Sequence, residues 1–437
     1  MKLTTLTVST AFILIVATLL NIDQLYAMAG MLAALPLVCY FVGRRQNGGL
    51  RAARRLETVG VPGRSLPVTL ELKNCDPWPK RHLMVQDRLP PWLERDGDVR
   101  PMFTPLAASG TNTLTYHLRP EKRGCYQVGP LEITATDPLG IFQFHHELPE
   151  TAELLVYPSA VELPWVFPPG GSPYGASSLH TAEMRGEGSE FYGIREYQPG
   201  DPLRRVHWRS SARMGRLAVV EYEHDVSVDL TLVLDARRGS EVGVGIETTL
   251  ETAVTIAASL ARLVLERGNR CRLVIPGIPG AAGTQGAAPP GGAGYPLRRG
   301  GARGLEALHT ILEALARVQA EQTETAADGV AAVLPDLERD STLALITSVW
   351  DEPAQRAVAA VTDSGQAAMV VYVDPGSFRV SGQAPADPSP SRPGTHAGDG
   401  SPDAVHAQIR SLRAQPVIVQ HGADLADQFI FAMAGRV

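Results

Sequence analysis

Two uncharged apolar runs, Leu3 to Ile22 and Leu25 to Val42, occupy the amino-terminal end of the chain and are parted only by Asp23 and Gln24. Each is close to the ~20 residues a helix needs to cross a bilayer. The segment that follows, "RRQNGGLRAARR", carries Arg44, Arg45, Arg51, Arg54 and Arg55, whereas the turn between the runs carries only Asp23. By the positive-inside rule, that asymmetry leaves the turn outside and both ends in the cytoplasm. The reading is a transmembrane hairpin over residues 1–43, a basic linker over 44–55, and a large cytoplasmic body. A cleaved signal peptide ending at Ala27-Met28-Ala29 is the competing reading. It conflicts with a single amino-terminal charge, Lys2, and with an apolar run that continues past Ala29.

The body changes pattern along its length. Residues 56–160 contain "LPVTLELKN", "TNTLTYHLRP" and "CYQVGPLEITATDP", in which apolar and polar residues alternate between turn-forming residues. Alternation of this kind predicts an antiparallel, β-sandwich-like domain. Residues 229–437 instead alternate short apolar runs ("DLTLVLDA", "CRLVIPG", "STLALITS", "AAMVVYVD", "QPVIVQ") with helical stretches. That order predicts a doubly wound α/β domain with a parallel sheet. Gly268 is placed to end its longest helix, and Ser401 to cap a later one. Two Gly/Pro/Ala/Ser-rich stretches, 277–304 and 375–402, read as flexible loops. Residues 161–228 connect the two domains.

The connecting segment ends in the densest cluster of unusual residues, "GIREYQPGDPLRRVHWRSSARMGRLAVVEYEHD", from Gly193 to Asp225. Between Glu183 and Asp225, seven arginines face eight carboxylates. A nucleic-acid or phosphate groove needs a surplus of positive charge, so neither is expected here. The formal net charge of −6 points the same way. Arginine without lysine suits bidentate pairing with carboxylates. Pro199-Gly200 signals a tight turn, after which Asp201 could cap the next element or receive Arg204 or Arg205. Trp208 is expected to pack into an interface, and the whole segment to clamp the two domains while the Asp201 turn faces a partner. His207 beside Ser210 and Ser211 lacks the setting of a nucleophile elbow, so no catalytic residue is assigned.

In the α/β domain, a strand ending in Asp235 before a loop and a long helix resembles the von Willebrand factor type A fold. That fold holds Mg²⁺ with D-x-S-x-S, but here the stretch reads Asp235-Ala236-Arg237-Arg238-Gly239. Both hydroxyls are missing, and two guanidinium groups stand where a hard cation would want oxygen. Asp235 and Asp351 remain as the weak candidate ligands for Mg²⁺, and no cofactor is expected.

"RPEKRGCYQVGPLEITATDPLGIF" (Arg119 to Phe142), followed by the Gly193 to Glu223 stretch, resembles the bacterial family called domain of unknown function 58. The correspondence falls on Arg195, Tyr197, Gly200, Asp201, Arg204, Arg205, Trp208, Ala212 and Arg213, while Pro202 departs from the acidic residue expected there. The resemblance implies two spans in the bacterial cell membrane, a β-domain and a degenerate von Willebrand type A-like domain. It also implies a MoxR-type AAA+ ATPase as partner, a transglutaminase-like membrane protein as a further one, and a non-enzymatic role in assembly or maturation of other proteins. The alternative is a metal-dependent enzyme or Mg²⁺-gated binding domain built on Asp235 and Asp351.

Overall fold

The computed structural model describes residues 2–96, 102–166, 185–198, 201, 203–223, 228–278, 302–338, 341–378 and 401–434. The chain divides into two compact units, Met1–Tyr157 and Pro158–Val437.

The first unit opens with α1 (Lys2–Leu20) and α2 (Asp23–Gln46), both long and apolar enough to cross a membrane. Val8, Phe12, Met31, Leu37 and Phe41 stand exposed on them. In water such side chains would seek cover, whereas hydrocarbon accepts them. The strands that follow are β1 (Leu50–Leu56), β2 (Val59–Gly60), β3 (Leu66–Asn74), β4 (Lys80–Asp87), β5 (Leu93–Asp96) and β6 (Met102–Leu106). After them come β7 (Thr111–Pro120), β8 (Gly124–Val128), β9 (Leu131–Thr136), β10 (Gln143–Leu148) and β11 (Ala152–Val156). Two four-stranded antiparallel sheets run β1-β3-β7-β5 and β10-β9-β4-β6, and a smaller sheet runs β2-β11-β8. Strict alternation along β3 turns Leu66, Val68, Leu70 and Leu72 inward. They join Leu83 and Val85 of β4, Leu118 of β7 and Ile133 of β9 in one core.

Residues 44–55 are not a linker. α2 continues through Arg45 to Gln46, and β1 pairs with β3 along its whole length, from Leu50↔Asn74 to Leu56↔Val68. The arginine-rich pattern hid a strand because one of its arginines is a core residue. Arg54 is 3% exposed and pairs with the equally buried Asp87. Its Nη1 donates to the carbonyls of Val128 (2.7 Å) and Glu150 (2.9 Å), and the Tyr116 hydroxyl donates to Asp87.

The second unit begins with β12 (Arg185–Glu196), α3 (Trp208–Met214), β13 (Ala218–Glu223), β14 (Asp229–Leu234), β15 (Gly243–Val244) and β16 (Glu247–Thr248). It continues through α4 (Thr249–Glu266), β17 (Arg270–Val274), α5 (Gly304–Arg317), α6 (Ala326–Val333), β18 (Ser341–Thr347) and α7 (Glu352–Asp363). β19 (Ala367–Val373), α8 (Pro402–Ser411), β20 (Gln415–Val419) and α9 (Leu425–Ala434) complete it. Five parallel strands form a sheet in the order β17-β14-β18-β19-β20. Alternate residues of the strands feed two cores. Leu230, Leu232 and Leu234 pack with Leu260 and Val264 of α4 and Ile311 of α5, while Val233, Leu343 and Leu345 pack with Val330 of α6 and Val358 of α7. Gly268, at φ +76°, follows the end of α4, and the Ser401 hydroxyl accepts the Ala404 N–H at the start of α8, both where the sequence put them. Of the two stretches read as loops, residues 279–301 and 379–400 lie outside the described residues; the flanks include a bridge from Ala302 to Cys271 and a 3-10 turn over Pro375–Phe378.

Candidate functional site

Because β14 and β18 are parallel neighbours, their carboxyl-terminal ends lie side by side, and the residues just beyond them meet. Asp235 follows β14, Thr347 ends β18, and Asp351 caps α7 by accepting the Ala354 N–H (3.0 Å). The Asp235 side chain is fully buried. It accepts a hydrogen bond from the Thr347 hydroxyl (2.8 Å) and from the backbone N–H of Arg237 (3.2 Å). The sequence-predicted carboxylates are therefore brought together, but Arg237 lies between them. Its Nε donates to Asp235 Oδ2 at 2.9 Å and its Nη1 to Asp351 Oδ2 at 2.7 Å. Burial works against the guanidinium charge, yet the hydrogen bonds and charges of Asp235 and then Asp351 outweigh it and raise its pKa. Chemically, a fixed monovalent cation bridges the two carboxylates. Among the described residues no group of three or more His, Cys, Asp or Glu is placed to hold a metal.

Sequence reading anticipated the positive charge near Asp235 but missed Thr347. Its only signal was a hydroxyl at the end of the neighbouring apolar run. Two further hydroxyls brace the loop, with Ser240 donating to the Arg237 carbonyl (2.8 Å) and Ser348 to the Ser240 carbonyl (2.9 Å). Gly239, at φ +82°, lets the loop turn back.

The arginine-rich segment forms a second, distinct arrangement. β12 and β13 pair antiparallel, Ile194 with Val220 and Glu196 with Ala218. Between them Arg195 grips Asp201 with both nitrogens, at 2.6 and 2.7 Å. Asp201 also accepts the Gln198 N–H (2.8 Å), so its carboxylate closes the turn from within. A pairing of Asp201 with Arg205 involves a side chain outside the described residues, whereas the expectation that the Asp201 carboxylate faces a partner does not fit its burial. Its side chain is 16% exposed and committed to Arg195. Tyr197 is half-buried and its N–H donates to the Leu217 carbonyl. Arg204 is exposed; Gly200 and the Arg205 side chain lie outside the described residues.

His207 caps α3. Its Nδ1 accepts the Ser210 N–H (3.2 Å) and lies 2.8 Å from the Ser210 hydroxyl, while buried Ser211 accepts the Ala218 N–H (2.9 Å) and ties the helix to β13. That is a structural use of the histidine and both serines. Trp208 departs from expectation. At the first position of α3 its indole points away from the core and is 66% exposed. Leu203 (63%), Met214 and Leu217 are exposed too, as are Arg204, Arg209, Ala212 and Arg213. The buried contacts of α3 run through Ser211, which leaves its other sides to solvent.

This signature begins a region, residues 193–289, that matches the family model described as protein of unknown function DUF58. The chain is also similar to the uncharacterized protein YeaD of Bacillus subtilis strain 168, at 27% identity over 245 residues, covering 55% of this chain and 56% of the relative. The chain spans little more than half the length of that relative. Among solved structures, the CARDB domain of a Pyrococcus furiosus protein is similar to 24% of the chain, with 86% of that domain covered, at 17% identity and a TM-score of 0.19. Native alpha-2-macroglobulin of Escherichia coli is similar to 28% of the chain, with 21% of that structure covered, at 19% identity and a TM-score of 0.22.

Proposed function

We propose that the chain is a membrane-anchored docking protein without catalytic activity. It would act as an adaptor or assembly factor with a MoxR-type AAA+ ATPase, and beside a transglutaminase-like membrane protein, in the maturation of other proteins. The observation that carries the reading is the exposed face of α3. Trp208 stands in solvent beside Leu203, Arg204, Arg209 and Arg213, within the region that matches the family. Tryptophan and arginine dominate the residues that contribute most to protein interfaces. An aromatic of this size left in water within such a segment points to a surface that is covered in the assembly.

Two features supply the setting. α1 and α2 anchor the chain in the bacterial cell membrane, and Arg44 and Arg45 against Asp23 favour a cytoplasmic position for both helix ends and the body. The parallel sheet, read as a degenerate von Willebrand type A-like domain, carries a guanidinium in the place of its ion. The competing reading puts Mg²⁺ on Asp235 and Asp351. It would require Arg237 to leave two carboxylates it bonds at 2.9 and 2.7 Å, and no observation favours that exchange.

The test is association of the full chain, in detergent, with the MoxR-type ATPase, with and without ATP. Binding should fall at least tenfold in Trp208→Ala, while its melting temperature stays within about a degree of wild type, since the indole is largely exposed. Absence of association at micromolar concentration under either nucleotide condition would count against the proposal.

A further inference from the structure

The edge of the β body that meets α2 is fastened to the helix at several points. α2 does not end in a free tether. Gln46 Oε1 accepts the backbone N–H groups of Arg81 and His82 (3.4 and 3.3 Å), Asn47 Nδ2 donates to the His145 carbonyl (3.3 Å), and Lys80 Nζ donates to the Gly48 carbonyl. Nearly two turns earlier, Tyr40 meets the rings of Phe142 and Phe144 at centroid distances of 5.7 and 5.6 Å. Lys2 Nζ, at the start of α1, donates to the Leu139 carbonyl (3.2 Å). The loop from Asp137 to Phe142 is thereby held level with Lys2 and Tyr40. Arg44 and Arg45 lie further along α2, toward the body.

The loop's own chemistry fits that depth. Its sequence, Asp-Pro-Leu-Gly-Ile-Phe, ends the first stretch that resembles the family, and none of the roles above uses it. Asp137 accepts the N–H groups of Leu139 (3.0 Å) and Phe142 (2.6 Å) on its carboxylate and that of Gly140 (2.9 Å) on its carbonyl. Three backbone donors are thus satisfied within the loop itself. Leu139 nevertheless stays 47% exposed at the tip. A neighbouring loop presents Trp78, 61% exposed, with the Arg45 guanidinium 5.6 Å from its ring centroid. Tryptophan beside arginine is the composition of a membrane-interface belt.

We infer that the 137–142 loop is a lipid-surface wedge, with Leu139 at the headgroup–acyl boundary and Trp78 and Arg45 among the headgroups. The bilayer would then seat the β body as well as hold its anchor. This inference rests on the reading of α1 and α2 as membrane spans.

The test uses the full chain with Cys75→Ser and Cys125→Ser, reconstituted in phosphatidylcholine–phosphatidylglycerol vesicles and labelled with an environment-sensitive fluorophore at one new cysteine. Positions are Val38→Cys on α2, Leu139→Cys, Trp78→Cys, and Arg64→Cys in the turn before β3, at the far end of the sheets. Lipids brominated near the top of the acyl chain should quench Val38 and Leu139 several-fold more than Arg64, and headgroup nitroxide lipids should quench Trp78. Quenching at Val38 with Leu139 and Trp78 both as dark to quencher as Arg64 would overturn the wedge while leaving the anchor standing. No quenching at Val38 would overturn the anchor and the wedge with it. If Leu139→Cys fails to fold, Trp78→Cys decides alone by the same comparison with Arg64.

Discussion

Removing Arg237 would leave Asp235, fully buried, facing Asp351 across the space the guanidinium fills. An uncompensated buried charge is costly, so Arg237→Ala should destabilise the second unit by ~3 kcal/mol. Millimolar Mg²⁺ or Ca²⁺ should recover part of that loss in the variant, because the vacated oxygens suit a hard cation. Denaturant unfolding with and without ion measures both effects. Arg54→Ala should cost ~3–5 kcal/mol for the same reason, as the partner Asp87 is 4% exposed. A loss under ~1 kcal/mol in Arg54→Ala would mean that the pair is solvated. At this scale the sequence was half legible. It pointed to arginine against carboxylate within the Gly193 to Asp225 stretch, though not to Arg195 as the partner of Asp201, and to positive charge near Asp235. It did not show that Arg54 is buried, because the partner Asp87 lies on another strand. Nor did it show that Trp208 is exposed: the size of an indole suggests burial, and only the cap at His207 and the inward Ser211 fix which way α3 faces.

Helix α2 and strand β1 are joined by three residues, and the joint depends on Gly43. A Cβ there would lie 2.5 Å from Cε2 of the Phe144 ring and 3.3 Å from Cβ of Asp137. Gly43→Val should therefore push α2 off β10 at a cost of ~1–3 kcal/mol. The expected readout is faster proteolysis within residues 46–50 and a lower melting temperature; an unchanged rate would show that the helix end is already mobile there. Most elements were legible from periodicity. Alternation marked β3 and β7, unbroken apolar runs marked β14, β18 and β19, and Gly268 and Ser401 marked helix ends. β1 was not, since "LRAARRL" runs Arg-Ala-Ala-Arg-Arg between its leucines and so breaks the alternation, and a flank of positive charge explains the same letters.

For the chain as a whole, the order of an apolar pair, a β-rich body and a parallel α/β sheet was readable because each part has its own period. The pairing of strands across tens of residues was not, and the position of Arg237 depends on it. β14 and β18 are joined through more than a hundred residues, so nothing local announces that Asp235, Thr347 and Asp351 converge. On the proposed reading, a side chain of the protein closes this convergence and no divalent ion is needed. Melting of the full wild-type chain in detergent, in chelator and then in millimolar Mg²⁺, Mn²⁺ or Ca²⁺, tests it most directly. The same transition is expected in every buffer. A rise of several degrees with any of the three ions, which mass action demands of an occupied site, and its disappearance in Asp235→Asn, would contradict it.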